Sequence, residues 1–216
     1  MSQLYDQILS SLQEESREKA LSIALDALDQ GQVSVVDLYE KILGPALNSI
    51  VDEYPHDDDL IWREHVRSGI VRGIVEAAYP HVLKERDRLG MQHGQKILLM
   101  TPEFEDHDLG ARMASDFFTI CGYDATFVGA RTPIKTCLRA VEIVSPLFLS
   151  LSVTNFYNLI SAKRMVERIK AVSDKPITFL LGGSAFAMNP NGLEAVGGHY
   201  LVKNYQDILD MSREVL

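Results

Sequence analysis

Apolar residues in the first 89 positions recur every three or four residues, which is the period of an amphipathic helix. A clear series is Ala20, Ile23, Ala24, Ala27 and Leu28. Polar, Gly- or Pro-containing stretches interrupt the pattern and predict turns at 30–32, 54–59 and 79–80. We therefore predict about four helices packed as a bundle over residues 2–89, with Ser34 as the N-cap of one of them.

The pattern changes near residue 90 into short apolar runs separated by amphipathic stretches. The runs have the length of strands buried on both faces and cover 96–100, 125–128, 147–151, 177–181 and 200–202. The amphipathic stretches between them cover 109–121, 133–144, 156–172 and 189–196. Strands that alternate with helices predict an open parallel sheet. The predicted fold class is α/β, with an N-terminal helical bundle over residues 1–90 and a flavodoxin- or Rossmann-like five-stranded parallel sheet over residues 94–216.

The composition of the 216-residue chain restricts its partners. Thirty Asp and Glu residues against 21 Lys and Arg give a formal net charge of −9. Nucleic-acid affinity depends on clustered basic residues, so we expect no direct nucleic-acid partner. The two cysteines, Cys121 and Cys137, fit neither a disulfide framework nor a zinc site. No apolar run has the length of a membrane span and the first residues do not resemble a secretory signal, so we expect a cytoplasmic protein with no membrane partner.

Polar residues and glycines follow several predicted strands, at the edge where parallel sheets bind ligands. His107 follows the first strand in acidic company, with Glu105, Asp106 and Asp108 beside it. An imidazole next to carboxylates suits a general base or a metal ligand, and a surface-loop histidine has the same appearance in sequence. No second His or Cys lies at metal-ligand spacing. A single protein ligand suits a metal that brings its other ligands with it, as a macrocycle does.

Three short motifs at three strand ends resemble the signature of the cobalamin-binding family. They are His107-x-x-Gly110, Ser152-x-Thr154 and Gly182-Gly183. The resemblance covers nearly the whole chain, because the helical half is similar to the four-helix cap that precedes the cobalamin-binding domain in this family. It implies a corrinoid cofactor held between cap and α/β domain, with His107 as the lower axial ligand to cobalt.

The resemblance also assigns residues to the cofactor. The nucleotide tail would enter a slot beside the sheet, where glycines leave room and hydroxyls meet polar groups. The residues we assign to the cofactor in this half are Glu105, Asp106, Gly110, Ser152, Thr154, Gly182, Gly183, Ala185 and Phe186. The family has Asp two positions before the histidine, where this chain has Glu105. We take Glu105 as the carboxylate that orients His107 and keep Asp106 or Asp108 as alternatives.

A second resemblance concerns the helical half. Tyr54, followed by nine residues and then Glu64-His65, is similar in register to a motif of the B12-dependent light-sensing transcriptional regulators. It implies that these three residues cover the upper, adenosyl-bearing face of the cofactor. Tyr54 stands where the regulators carry Trp, and Glu64-His65 would look the same on a solvated helix edge. The regulators also carry a DNA-binding domain where residues 1–30 here form helix, so the output would pass through a protein partner or self-association.

Four functional hypotheses follow. The first is a cobalamin-binding sensor or regulatory module that is not itself an enzyme, with adenosylcobalamin bound and light as a candidate signal. The second is a corrinoid methyl carrier that serves a separate methyltransferase, with methylcobalamin bound. The third is a haem-binding variant of the same fold. The fourth is an apo scaffold, suggested by Glu105 and Tyr54 where the families have Asp and Trp.

Overall fold

The chain divides into two compact units, Met1–Arg88 and Leu89–Leu216. The structure, a computed structural model, describes residues 2–53, 59–187, 189 and 191–215. Within this part of the chain, no helix combines the length and the hydropathy that crossing a membrane requires.

The first unit consists of helices joined by short turns. Its helical segments are Ser2–Gln13, Arg17–Asp29, Val35–Asp37, Leu38–Leu43, Gly44–Asn48, Ile50–Glu53, Leu60–Ala77 and Tyr79–Leu89, the last of which ends one residue into the second unit. The residues that set the helical period are the buried ones, since Ala20, Ala24 and Ala27 are almost fully enclosed. The predicted helical half is therefore confirmed, with more segments than the four expected.

The additional segments arise around a proline. Leu38–Leu43 forms a π-helical turn, and Gly44 N donates to Tyr39 O across five residues. Pro45 has no N–H to continue an α-helical ladder, so the wider turn leads the chain into the next helix. Upstream, Ser34 Oγ accepts a hydrogen bond from Asp37 N at 3.0 Å, which confirms the predicted N-cap.

The second unit contains a five-stranded sheet in which all paired strands are parallel. The strands are β1 (Lys96–Pro102), β2 (Asp124–Thr132), β3 (Phe148–Ser152), β4 (Thr178–Gly182) and β5 (Tyr200–Leu201). Their spatial order is β2-β1-β3-β4-β5. This order is that of doubly wound, flavodoxin-like sheets, so the predicted fold class is confirmed.

Helices connect the strands and cover the sheet. They span Leu109–Ile120, Ile134–Val144, Leu159–Val172, Ser184–Ala187, Gly192–Val196 and Tyr205–Val215, with a 3₁₀ turn at Phe156–Asn158. The residues of β1 after Lys96 are all buried, as expected for a central strand covered on both faces. The helix Tyr205–Val215 was missed by the sequence analysis, although Ile208 and Leu209 on it are buried.

Candidate functional site

The strand order creates a crevice at the carboxyl end of the sheet. The chain passes from β1 outward to β2 and then returns to β3 on the other side of β1. The connections that leave β1 and β3 therefore diverge, and ligands of open parallel sheets bind at such a switch point. Here the loop after β1 carries Glu105 and His107, and the loop after β3 carries Thr154, Asn155 and Asn158.

Glu105 joins these two loops. Its carboxylate is fully buried, and Oε2 accepts hydrogen bonds from Thr154 N (3.0 Å), Asn155 N (2.9 Å) and Asn158 Nδ2 (3.1 Å). Its Oε1 accepts from His107 N at 3.2 Å and contacts His107 Nδ1 at 2.5 Å. A buried carboxylate is tolerated only when its oxygens are satisfied, and this one has partners on both oxygens.

The ionised form of Glu105 is the stable one in this setting. Burial by itself raises the pKa of Glu105, but the hydrogen bonds donated by Asn155 N, His107 and Asn158 more than offset it, so the pKa lies below its ordinary value of 4.5. Because an ionised carboxylate can only accept, the proton between Glu105 Oε1 and His107 resides on Nδ1.

His107 therefore presents its other ring nitrogen outward. The side chain is 60% exposed, and within the part of the chain that the structure describes Nε2 has no hydrogen-bond partner. In the neutral imidazole with its proton on Nδ1, Nε2 carries the lone pair. This is the arrangement in which a carboxylate fixes the tautomer and ring orientation of a metal-binding histidine.

The other acidic candidates have different contacts. Asp106 forms an ion pair with Arg131, with 2.8 Å between Arg131 Nη2 and Asp106 Oδ2, and both side chains are exposed. Asp108 precedes the helix Leu109–Ile120, and its carboxylate does not cap that helix. Of the three carboxylates considered in sequence, Glu105 is the one that hydrogen-bonds His107.

Ser152 and Thr154 lie at the end of β3, both half-buried. Ser152 is paired in register with Gly182 of β4. Thr154 contributes its backbone to the network: its N–H binds Glu105 and its carbonyl accepts from Ser184 Oγ at 3.3 Å. Both residues therefore lie at the edge where the sequence analysis expected them, and Thr154 also contacts the carboxylate that holds His107.

The two glycines after β4 face protein backbone. A Cβ at Gly183, where φ is +100°, would lie 2.3 Å from Val153 O, and one at Gly182 would lie 3.0 Å from Val202 O. Their missing side chains thus allow neighbouring strand ends to approach, and the assignment of both glycines to the cofactor tail stays a prediction. Ala185 and Phe186 are also buried, within the hydrophobic core of the unit.

Gly110 differs from these glycines. It lies in the first turn of the helix Leu109–Ile120, and a Cβ built there meets nothing within 4 Å. Glycine in a helix costs up to about 1 kcal/mol relative to Ala. Packing within the described residues does not require a glycine here. The space that a side chain at position 110 would occupy, three residues after His107, is therefore open.

The residues predicted to cover the cofactor lie in the other unit. Tyr54 falls outside the described residues. Glu64 and His65 lie on the exposed side of the helix Leu60–Ala77, where Glu64 Oε1 accepts from Ser68 Oγ at 2.5 Å and Glu64 Oε2 lies 3.6 Å from His65 Nε2. These contacts are made within one helix, so they do not distinguish a ligand-facing pair from a solvated edge.

Solved structures with this architecture include proteins that bind corrinoids. The monomethylamine corrinoid protein of Methanosarcina barkeri has a TM-score of 0.82 to this chain at 15% sequence identity, covering 100% of this chain and 99% of that one. This chain has the corrinoid-protein fold. A novel cobalamin-binding protein of Desulfitobacterium hafniense DCB-2 has a TM-score of 0.54 at 21% identity, covering 91% of this chain and 98% of that one.

Two further similarities concern corrinoid proteins. A chain of the methanol:cobalamin methyltransferase complex MtaBC of Methanosarcina barkeri has a TM-score of 0.50 at 16% identity, covering 99% of this chain and 79% of that one. By sequence, a corrinoid protein of Desulfitobacterium hafniense strain Y51 is 24% identical over 172 residues, which are 68% of this chain and 77% of that protein. No protein-family model matches the chain. None of these four proteins is described as a photoreceptor.

Sequence reasoning missed two residues of the network, Asn158 and Arg131. Asn158 Nδ2 donates to Glu105 Oε2 and also to Phe104 O at 3.1 Å, so its side chain adds a second connection between the two loops beside that of the backbone amides. Arg131 N donates to Glu105 O at 3.1 Å and to Thr101 Oγ1 at 3.1 Å. Asn158 could have been considered, since amide side chains shortly after a strand end often bind loop backbone.

Proposed function

We propose that this chain is a corrinoid-binding methyl carrier that serves a separate methyltransferase. The single observation that carries the proposal is the Glu105–His107 pair. A fully buried carboxylate is hydrogen-bonded to Nδ1 of an exposed histidine, and Nε2 of that histidine is left to bind a metal. Among the described residues, no group of three or more His, Cys, Asp or Glu could hold a metal ion. A metal at His107 would therefore have to bring most of its ligands with it, as a corrinoid does.

The residues present fit such a cofactor. Neutral imidazole nitrogen is a suitable ligand for cobalt, and Gly110 keeps space beside it that its own helix does not need. When bound, the corrinoid would supply a cobalt ion that carries the methyl group. The chain's own contribution is to hold the cofactor through His107 and to hold the Nδ1–H of that residue in a hydrogen bond to Glu105 Oε1, which fixes the orientation of the ring.

The comparisons support carriage over sensing. Two of the structurally similar proteins are described as a monomethylamine corrinoid protein and a methanol:cobalamin methyltransferase complex. The second is a complex, and it supports a methyltransferase subunit as the partner of this chain. Methylcobalamin is accordingly the proposed form of the cofactor. The sensor hypothesis depended on Tyr54, Glu64 and His65. Tyr54 lies outside the described residues, and the contacts of Glu64 and His65 within their own helix do not favour sensing.

Binding is tested by adding hydroxocobalamin to the purified chain in the dark and recording the visible spectrum. We expect a stable complex in which protein histidine replaces the lower base of the cofactor. His107→Ala should abolish that spectrum. His199→Ala is the matched control, because His199 is also exposed but lies before β5, at the opposite end of the sheet. Retention of the histidine-ligated spectrum in His107→Ala would refute the assignment.

Carriage is tested separately. Protein loaded with methylcobalamin is mixed with a thiol and a corrinoid-dependent methyltransferase, and loss of the methylcobalamin absorbance is followed. Transfer that depends on His107 supports the methyl carrier. If methylcobalamin is not consumed, but protein loaded with adenosylcobalamin changes its spectrum and oligomeric state on illumination, the sensor hypothesis replaces it. A haem spectrum in freshly purified protein, or no binding of either macrocycle, would favour the third or fourth hypothesis.

A further inference from the structure

Phe104 has an unusual backbone conformation next to the Glu105–His107 pair. Glu105 N donates to Pro102 O at 3.1 Å and closes a tight turn, in which Phe104 occupies the third position with φ at +74°. That position of a turn with positive φ favours Gly or Asn, and a bulky aromatic residue is rare there. The other described non-glycine residues with positive φ, Glu15, Arg131 and Ser145, are polar.

Folding gains little from this phenylalanine. The side chain is 71% exposed, so its burial contributes only a small part of what a core Phe contributes. A left-handed conformation at a non-glycine residue costs free energy that the surroundings must offset. Both the cost and the exposure would disappear with Gly at this position. The ring is therefore better explained by a ligand than by the stability of the fold.

Two further exposed aromatic side chains lie on the loop after β3, which is hydrogen-bonded to the backbone of Phe104. On the loop after β3, Phe156 and Tyr157 are exposed, and their ring centroids lie 6.3 Å apart. Asn158 joins this loop to the other one by donating to Phe104 O and to Glu105 Oε2. Exposed aromatic residues thus come from both loops of the switch-point crevice. Exposed aromatic side chains on both loops of a crevice indicate a binding site.

We propose that the ring of Phe104 packs against the bound corrinoid and contributes to its affinity. The inference rests on the proposed function. The ligand is assigned by continuity: Phe104 directly precedes Glu105, and His107, the proposed cobalt ligand, follows two residues later on the same loop. Between its peripheral amide side chains a corrin macrocycle presents methyl groups and an apolar ring face, against which an exposed aromatic ring can pack. Phe104 is in this sense a residue that determines affinity, whereas His107 provides the metal bond.

Phe104→Gly separates the two roles of the residue. It removes the ring and relieves the positive φ, so the melting temperature of the apo-protein should equal that of the wild type or exceed it by up to about 3 °C. Hydroxocobalamin, titrated in the dark, should bind about tenfold more weakly. Tenfold corresponds to about 1.4 kcal/mol, or about 55 Å² of apolar contact at ~25 cal/mol/Å². Phe104→Tyr keeps the ring and should bind within about twofold of the wild type.

Ser145→Gly is the matched control. Ser145 also has positive φ, +49°, and is exposed, but it follows the helix Ile134–Val144 at the other end of the sheet. The substitution Ser145→Gly should relieve backbone strain as Phe104→Gly does, and it should leave the affinity for hydroxocobalamin unchanged. Phe104→Asn, which tolerates positive φ, is the second variant and should weaken binding as Phe104→Gly does.

Three results would overturn the inference. The first is wild-type affinity in Phe104→Gly. The second is a wild-type dimer that becomes a monomer in Phe104→Gly with unchanged affinity, which would assign the ring to self-association. The third is failure of the wild type itself to bind hydroxocobalamin, which removes the proposed function and this inference together. The first two leave the proposed function intact, so the failures can be told apart.

Discussion

Glu105 and His107 share one short hydrogen bond, with 2.5 Å between Glu105 Oε1 and His107 Nδ1. The carboxylate is fully enclosed, while the imidazole it holds is mostly exposed. The other oxygen of the same carboxylate is held by the loop after β3. The orientation of His107 is therefore coupled to the joining of two loops that are about 50 residues apart in the chain, so a change at Glu105 should alter both folding and metal binding.

Glu105→Gln should lower the free energy of unfolding by about 2–3 kcal/mol, because the neutral amide replaces a charged acceptor of several hydrogen bonds. It should also weaken hydroxocobalamin binding by about 10- to 100-fold, the usual effect of losing the group that orients a metal-binding histidine. Urea unfolding and a spectral titration measure the two effects. Glu103→Gln makes the same charge change in the same loop and should leave both values near those of the wild type.

The contribution of Glu105 should depend on pH in a defined direction. Hydrogen bonds keep the pKa of folded Glu105 below its ordinary value of 4.5, so the folded state favours the ionised form. The stabilisation is fully present above about pH 4.5 to 5 and decreases as the pH falls through the folded pKa. The difference in unfolding free energy between wild type and Glu105→Gln should therefore be constant from pH 7 to 5 and shrink below pH 4. A difference that grows on acidification would contradict this assignment.

The fold could be predicted from the sequence because the spacing of apolar residues in each half of the chain is a local property. Helical spacing before residue 90 and short apolar runs after it specify helices and buried strands without knowledge of long-range contacts. The π-helical turn Leu38–Leu43 was not predicted, because it depends on how the chain accommodates Pro45. The helix Tyr205–Val215 was not predicted, although its sequence is strongly amphipathic.

Only part of the candidate site could be predicted from the sequence. The identities of Glu105 and His107 were available as a motif, but the contacts of Glu105 with Thr154, Asn155 and Asn158 depend on the register of β1 and β3. The glycines show the same limit. Sequence cannot distinguish a glycine that faces a ligand from Gly183, which faces the backbone of Val153.

Gly183 and Gly110 should respond in opposite ways to the same substitution. Gly183→Ala combines a positive φ with a Cβ 2.3 Å from Val153 O, so the α/β unit should lose at least about 3 kcal/mol of stability or fail to fold. Gly110→Ala meets open space within a helix and should raise stability by up to about 1 kcal/mol. Thermal unfolding of the apo-proteins measures both.

Gly110→Ala also reports on the cofactor. If the corrinoid approaches the first turn of the helix Leu109–Ile120, the added methyl group should weaken hydroxocobalamin binding even though it stabilises the apo-protein. Equal affinity in a stabilised variant would mean that the space above Gly110 does not belong to the cofactor. A Gly110→Ala protein that is less stable than the wild type would contradict the helical assignment of this glycine instead.

Arg67 and Glu53 provide a separate prediction for the helical unit. Arg67 is fully buried, and its guanidinium binds Glu53 in a two-pronged pair, with 3.1 Å from Nη1 to Oε1 and 3.0 Å from Nη2 to Oε2. Burial raises the pKa of Glu53, but the hydrogen bonds from Arg67 and Gln13 outweigh it and the pKa lies below its ordinary value of 4.5. The pair is therefore ionised at neutral pH and joins the segment Ile50–Glu53 to the helix Leu60–Ala77.

Removing the carboxylate should cost more than the pair itself contributes. Glu53→Ala takes the anion away from a buried guanidinium, and such losses cost about 3–5 kcal/mol. Arg67→Lys should also destabilise the unit, because one ammonium cannot reproduce the paired geometry. Asp52→Asn, an exposed neighbour on the same segment, should change stability by less than about 0.5 kcal/mol. Calorimetry distinguishes these cases, and a Glu53→Ala protein as stable as Asp52→Asn would show that the pair does not hold the helices together.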